Sequence, residues 1–165
     1  MLELRHATAL AVLFAVFAHA AGDERDEAAK RELQKLRGTW ELVSAQHGGK
    51  DVTKEMKAGF RITFRDHLWL TEFDGRQPFA EGSDTLTVDP AKSPKEFMRV
   101  YKGHIGFGAR DQPVQIELPG IYEIDGDRLK LCWAVGGKGG RPRAFATEAG
   151  SEHLFLTLKR VNAGK

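Results

Sequence analysis

Several features that define large protein classes are scarce in this sequence. It has one cysteine among 165 residues, Cys132, so no internal disulfide can form, and we expect a buried, unreactive thiol rather than a redox or catalytic one. Lys and Arg number 25 against 23 Asp and Glu. A net charge of +2 with both signs scattered along the chain argues against a nucleic-acid partner. No apolar run reaches the roughly 20 residues that a transmembrane helix needs.

Motifs that carry catalysis or metal binding are also missing. No Gly-x-Ser-x-Gly occurs, and the glycine-rich segment 136–143 has neither the spacing of a phosphate-binding loop nor a following helix, so we expect a hairpin loop there. No histidine has a second ligand at metal-binding spacing; those outside the N-terminal segment are His47, His67, His104 and His153. We therefore predict no catalytic residue, no metal and no cofactor, and we expect that the protein is not an enzyme.

The N-terminal segment is typical of a secretory signal peptide. Arg5 precedes the uncharged run 7–17, and Ala18-His19-Ala20 supplies small residues at the two positions that a signal peptidase reads. This pattern predicts that residues 1–20 are removed and that residues 21–165 form one domain in the periplasm or outside the cell, with no transmembrane span after cleavage. An uncleaved N-terminal anchor is the alternative.

Hydrophobic spacing predicts one short helix followed by about eight to ten strands. Ala29, Leu33 and Leu36 share one helical face, and Gly38 stands where a helix would end, so we expect a helix over about 24–36. From residue 39 the period changes to two. Strands are expected at 39–46, 60–65, 67–73, 85–89, 97–101, 114–118, 122–125, 129–133, 144–148 and 154–160, and 104–112 is expected to be a loop.

Short strands with short connections leave two closed architectures, a β-sandwich or an up-and-down antiparallel barrel over about 39–160. Arg160 continues the inward-facing series of Leu154, Leu156 and Leu158, and a buried cation needs a partner. In a barrel the last strand pairs with the first, which brings Arg160 near Trp40, where a cation–π contact contributes about 0.5–2 kcal/mol. Alternatively, Arg160 lies at a frayed strand end and points to water.

Four stretches of sequence favour the barrel. They are LRGTWELVSA at 36–45, PKE at 94–96, GIYEIDGD at 120–127 with LKLC at 129–132, and LTLKR at 156–160. Together they resemble a family of exported lipocalin-like domains of unknown function that is abundant in planctomycete bacteria. The resemblance implies an all-β, calycin-type barrel with a short N-terminal helix over one end, Trp40 plugging that end and Arg160 packing across it. It leaves the strand order around 101–113 open.

The resemblance implies no activity, so the function depends on what fills the barrel. Inward parity predicts that a pocket would be lined by Phe60, Ile62, Phe64, Tyr122, Ile124, Leu131 and Trp133. We expect an exported binding module for a small apolar or amphipathic molecule. The alternatives are an envelope structural or protein-interaction module with a filled barrel, and an enzyme acting on a lipid or envelope polymer. A continuous apolar cavity of about 300 Å³ or more favours binding, whereas a solid core favours the envelope module.

Overall fold

The alternation of apolar residues after residue 38 produces a meander of antiparallel strands behind one long helix. The computed structural model of the chain describes residues 7–77, 84–105 and 112–161, with the side chains of 22–77, 84–103 and 112–161. Its helices and strands, in chain order, are α1 (Ala7–Leu36), β1 (Gly38–His47), β2 (Lys50–Asp51), α2 (Thr53–Met56), β3 (Arg61–Arg65), β4 (Leu68–Glu72), β5 (Asp84–Asp89), β6 (Lys95–Ile105), β7 (Gln112–Asp125), β8 (Arg128–Ala134) and β9 (His153–Arg160).

Eight of these strands close into an up-and-down barrel. The order around the ring is β1-β3-β4-β5-β6-β7-β8-β9, all antiparallel, and β9 pairs back onto β1 with Leu42 opposite Leu158. Strand β2 lies outside the ring as a short partner for the end of β1. Because the first and last strands are hydrogen-bonded to each other, the barrel prediction is confirmed and the sandwich alternative is wrong.

Three strand predictions differ from the structure. The predicted strands 114–118 and 122–125 are one continuous strand, β7. The ladder between β6 and β7 continues until Ile105 faces Gln112, so the predicted loop 104–112 is strand at both ends; residues 106–111 lie outside the described part. Consecutive strands β6 and β7 are neighbours, which settles the strand order left open there. Segment 144–148 is irregular chain rather than a strand, because β9 occupies the free side of β8.

A β-bulge interrupts the first strand and changes which side chains face the core. The register between β1 and β9 shifts between Leu42 and Ser44, which leaves Val43 as the extra residue. Beyond the bulge Ala45 is buried, whereas Ser44, which strict alternation places inside with Trp40 and Leu42, is only half-buried. A prediction from strict alternation misses this shift, because the bulge moves the inward-facing positions by one residue.

Helix α1 ends at Leu36 as predicted but begins at Ala7, well before residue 24. The alanine-rich run 7–20 contains neither Gly nor Pro, which allows the helix to extend through it. Within the residues that the structure describes, no helix combines the length and the apolar character needed to span a membrane.

The last turns of α1 pack against the barrel through one buried carboxylate. Glu32 is 5% exposed. Its Oε2 accepts a hydrogen bond from the Tyr122 hydroxyl at 3.3 Å and lies 3.0 Å from the Lys95 ammonium, and its Oε1 lies 2.6 Å from Lys35. The charge is therefore compensated by two cations, one from the helix and one from β6. Burial raises the pKa of Tyr122, and the nearby Glu32 carboxylate raises it further.

This contact should make stability depend on pH. Burial alone would raise the pKa of Glu32, but the hydrogen bonds from Lys35 and Lys95 outweigh it and lower the pKa below its usual 4.5. The stabilisation is therefore present above the unfolded value and lost as pH falls through the lowered one. Thermal unfolding at about pH 7 should show Glu32→Gln destabilised by about 1–3 kcal/mol, and the difference should shrink at about pH 3.

Glu27→Gln is the matched control for this prediction. Glu27 pairs with Lys30 on the same helix, but both side chains are more than half exposed. An exposed pair of this kind contributes little. Equal melting curves for Glu27→Gln and the wild type at both pH values are expected, and a Glu32→Gln effect that does not change with pH would contradict the interpretation.

A second apolar layer lies on the outside of the barrel. Ile121 and Cys132 point away from the barrel interior yet are buried. The irregular segment between β8 and β9 covers this side: the Cys132 thiol lies 3.9 Å from the Ala146 carbonyl oxygen, and the Phe145 ring lies tilted against Phe155 of β9 with ring centres 6.1 Å apart. Strand β8 is therefore apolar on both faces, which explains its unbroken buried run from Leu131 to Ala134.

Arg141 ties this covering segment to the barrel at Gly120. Its Nη1 donates to the carbonyl oxygens of Phe97 and Gly120, each at 3.0 Å, and its Nε lies 3.3 Å from Glu96. On the other side of the sheet the Phe97 ring lies against the Gly120 backbone. A Cβ at position 120 would lie 2.2 Å from that ring and 2.7 Å from the Cys132 carbonyl oxygen.

Gly120→Ala should therefore destabilise the protein by steric overlap. We expect a loss of about 1–3 kcal/mol in the free energy of unfolding, measured by urea denaturation, because both neighbours are buried and cannot move freely. Gly22→Ala is the control, since nothing lies within 4 Å of its Cβ position. A Gly120→Ala variant as stable as Gly22→Ala would contradict the close approach of Phe97.

Candidate ligand-binding site

The barrel is closed at the end where α1 meets β1. Trp40 is fully buried and its Nε1 donates to the Leu36 carbonyl oxygen at 2.7 Å. The Arg160 guanidinium carbon lies 4.0 Å from the centre of the Trp40 ring, and its Nη1 and Nη2 donate to the carbonyl oxygens of Arg37 and Lys35 at 2.6 and 2.7 Å. Arg160 thus binds the last carbonyls of α1, which favour a cation. The structure brings the two expected residues into contact.

Most of the side chains expected to line a pocket instead pack the interior of the barrel. Ile62, Phe64, Tyr122 and Leu131 are buried in the continuous hydrophobic core, and Ile124 packs against it half-buried. None of these five lines the cavity described below. Strand parity distinguishes inside from outside, but it does not report how far along the barrel axis a residue lies.

Above this core the interior opens into a cavity of about 300 Å³. Of the expected lining residues, Phe60 and Trp133 contribute to its wall. The full lining is Met56, Phe60, Trp69, Thr71, Phe73, Arg99, Tyr101, Ile116, Leu118, Trp133, Val135, Gly136 and Leu154. Most of these side chains are apolar or aromatic, so the cavity suits a ligand with a hydrocarbon or ring body.

The rim of the cavity exposes apolar surface. Phe73 and Val135 line it and are each 40% exposed. The Phe73 ring packs edge-on against Phe60 with ring centres 4.8 Å apart. The turn that carries Phe73 touches Gly59, where a Cβ would lie 2.7 Å from the backbone of Asp74, and Gly59 also has a φ of +67°. A glycine is therefore needed to seat the rim aromatic pair.

One ion pair lies against the cavity wall. Arg99 of β6 donates from Nε to Asp84 Oδ1 at 3.0 Å and from Nη2 to Asp84 Oδ2 at 2.7 Å. The Asp84 side chain is 2% exposed and the Arg99 side chain 10%. The Trp69 ring covers the guanidinium, with its centre 4.7 Å from the guanidinium carbon, and the Trp69 Nε1 donates to the Thr71 hydroxyl at 3.0 Å.

Sequence reasoning missed the polar part of this wall. Phe97, Arg99 and Tyr101 of β6 share one parity, and an arginine in that series argues against burial. The available signal was Asp84 at the start of the preceding strand, where hairpin pairing could bring an acid beside Arg99. The structure places Asp84 opposite Tyr101, two residues from Arg99.

Reactive groups are not gathered at this site. Among the residues that the structure describes, no three His, Cys, Asp or Glu side chains are close enough together to hold a metal ion. Cys132 lies on the outer face of β8, and burial raises the pKa of its thiol to about 11, so it stays protonated near neutral pH. The described lining of the cavity consists mostly of aromatic and aliphatic side chains, with one guanidinium, that of Arg99.

Comparison with known proteins adds no relative to this picture. No protein-family model, no curated protein and no solved structure matches the chain.

Proposed function

We propose that the protein is an exported binding module that holds one small apolar or amphipathic molecule in the open half of its barrel. The observation that carries this proposal is the cavity of about 300 Å³, walled by Trp69, Leu118 and Trp133 above a packed core. Its volume is at the lower end of the range of small-molecule pockets, about 300–1,000 Å³. The ligand should therefore be small, with a body comparable to a medium-length acyl chain or a few fused rings.

The division of the interior explains how the protein can bind and still be stable. Trp40, Ile62, Phe64, Leu156 and Leu158 are all essentially buried in the lower half. They provide a hydrophobic core that does not depend on the ligand. Small eight-stranded barrels either hold one ligand or are filled by their own side chains. In this barrel the half around Trp40 is filled by side chains, and the other half contains the cavity.

The first test is whether a neutral apolar fluorophore such as N-phenyl-1-naphthylamine binds saturably, with one molecule per chain. Ile116 lines the cavity and is only half-buried, so Ile116→Trp should occupy part of the space without overpacking the core. We expect this variant to bind the probe at least about tenfold more weakly, a difference of about 1.4 kcal/mol. Fluorescence titration measures both affinities.

Val43→Trp is the matched control, because Val43 is 45% exposed on β1 and lines no part of this cavity. It should bind the probe as the wild type does. Absence of saturable binding by the wild type, or equal binding by Ile116→Trp, would reject the proposal. Native mass spectrometry of protein purified from its own host would then identify any molecule that the protein carries.

Export is the second component of the proposal and is tested separately. Cleavage after Ala20 predicts that the mature protein begins at Ala21. N-terminal sequencing of the protein from the periplasmic or secreted fraction of its host would show this start. A protein found only in the cytoplasm with Met1 retained would contradict it.

A protein-interaction module remains the second candidate, and the rim favours it. Phe73 and Val135 expose apolar surface where a partner could pack. Crosslinking in the native host distinguishes the two functions. Recovery of one protein partner through rim residues, together with no bound small molecule, would favour the interaction module.

A further inference from the structure

Arg99 lines the cavity and has a hydrogen-bond donor that no residue in the described part of the chain uses. Its Nε and Nη2 bind Asp84, and Nη1 makes no hydrogen bond to any residue in the described part of the chain. The Arg99 side chain as a whole is 10% exposed. Because Arg99 lines the cavity, this edge of the guanidinium is available to an occupant.

Thr71 adds a second donor on the same wall. Its hydroxyl oxygen accepts the indole N–H of Trp69 at 3.0 Å, which leaves the hydroxyl proton to be donated elsewhere. Both polar groups at this position can therefore give a hydrogen bond. The complementary group on a ligand is an oxygen acceptor.

The charge at this point of the wall is already neutralised. Asp84 is 2% exposed and bonds the guanidinium through both of its oxygens. A ligand carboxylate placed on the remaining edge would lose its hydration and would share the guanidinium with a second carboxylate. A carbonyl, ether or hydroxyl oxygen accepts the same hydrogen bond without carrying a charge into the cavity.

We infer that the ligand is a neutral amphipathic molecule whose oxygen acceptor binds Arg99, and that the protein selects against fatty carboxylates. This inference depends on the binding function proposed above and narrows the class of ligand. Its physical basis is the ion pair between Arg99 and Asp84. The Asp84 carboxylate compensates the charge of the guanidinium, while Nη1 of Arg99 can still donate a hydrogen bond.

The experiment displaces N-phenyl-1-naphthylamine with three compounds of equal chain length, 2-decanone, decanoate and decylammonium, at about pH 8, where decanoate is ionised. The ketone should displace the probe at concentrations roughly tenfold lower than either ion. Decylammonium offers no acceptor to Arg99 and Thr71, so it should displace the probe no better than decanoate. The comparison of the ketone with decanoate is the decisive one, because both accept the hydrogen bond and only decanoate brings a charge into the cavity.

Asp84→Asn provides the sharper contrast. Removal of the carboxylate's charge leaves Arg99 as an uncompensated cation at the cavity, so decanoate should bind roughly tenfold or more tighter than to the wild type, while 2-decanone changes little. Glu123→Gln is the matched control, because it removes one carboxylate charge from an exposed pair with Lys130 on the outer face. Its displacement pattern should equal that of the wild type.

The outcomes separate this inference from the proposed function. If the probe does not bind the wild type, the binding function fails and the inference fails with it. If the probe binds and the wild type prefers decanoate to both other compounds, the binding function stands and the inference is wrong. If Asp84→Asn folds and gains nothing for decanoate, the inference is also wrong. If that variant does not fold, the wild-type comparison of 2-decanone with decanoate decides, and displacement of the probe by decanoate at an equal or lower concentration overturns the inference.

Discussion

Trp40→Ala should lower the free energy of unfolding by about 3–5 kcal/mol. The indole is fully buried at the closed end of the barrel, and its Nε1 donates to the Leu36 carbonyl oxygen at the end of α1. Truncation leaves a large cavity in the core and removes the ring against which Arg160 packs. Urea denaturation monitored by far-UV circular dichroism measures the loss.

Val43→Ala is the control on the same strand. Val43 is the bulged, exposed residue of β1, so its truncation should change stability by less than about 0.5 kcal/mol. A loss below about 1 kcal/mol for Trp40→Ala would mean that the closed end of the barrel is not packed as described.

The contribution of Arg160 can be isolated from the loss of core volume. Trp40→Leu keeps an apolar side chain but removes the ring, and Arg160→Ala removes the guanidinium 4.0 Å from it. The two changes should be non-additive by about 0.5–2 kcal/mol in a double-mutant cycle. A coupling energy near zero would show that the contact does not stabilise the fold.

Arg99→Met should also be severely destabilising, by about 3–5 kcal/mol, because it leaves the Asp84 carboxylate buried without its counter-charge. The pair is bonded at two points, and the Asp84 side chain is 2% exposed. Replacement of both partners, Asp84→Leu with Arg99→Met, should restore most of the lost stability, since an apolar pair carries no desolvation cost. Urea denaturation of the three proteins measures the difference.

Lys130→Met is the matched control for the ion pair. It also removes the cation from a carboxylate, Glu123, but that pair lies on the outer face, with side chains 42% and 48% exposed. The expected loss is below about 1 kcal/mol. If Arg99→Met lowers the free energy of unfolding no more than Lys130→Met does, Asp84 must be more accessible to water than its 2% exposure indicates.

Sequence reasoning succeeded where a pattern has a local physical cause. The end of α1 at Leu36 follows from Gly38, whose φ of +116° is one that other residues rarely adopt. The turn at Asp125-Gly126-Asp127 and the alternation in β3 likewise depend only on near neighbours, and both elements form as expected. The sequence leaves both a sandwich and a barrel open. The expected contact of Arg160 with Trp40 favours the barrel, and β9 pairs with β1 as that contact requires.

Sequence reasoning failed where the answer depends on height along the barrel or on a partner distant in the chain. Ile62 and Phe60 have the same inward parity, yet only Phe60 lines the cavity. Segment 144–148 alternates as a strand would, but β9 already pairs with the edge of β8. The bulge at Val43 resets the alternation without leaving a signal in the hydrophobic pattern.

Periodicity and turn chemistry alone determine that this chain forms a helix and then a succession of antiparallel strands with one apolar face. Only the tertiary structure decides that the interior is solid around Trp40 and open around Trp69, and that a buried aspartate neutralises the arginine at the opening. The physical reason is that periodicity specifies the direction of each side chain, whereas cavity volume and charge compensation arise from side chains that different strands bring to the same level of the barrel.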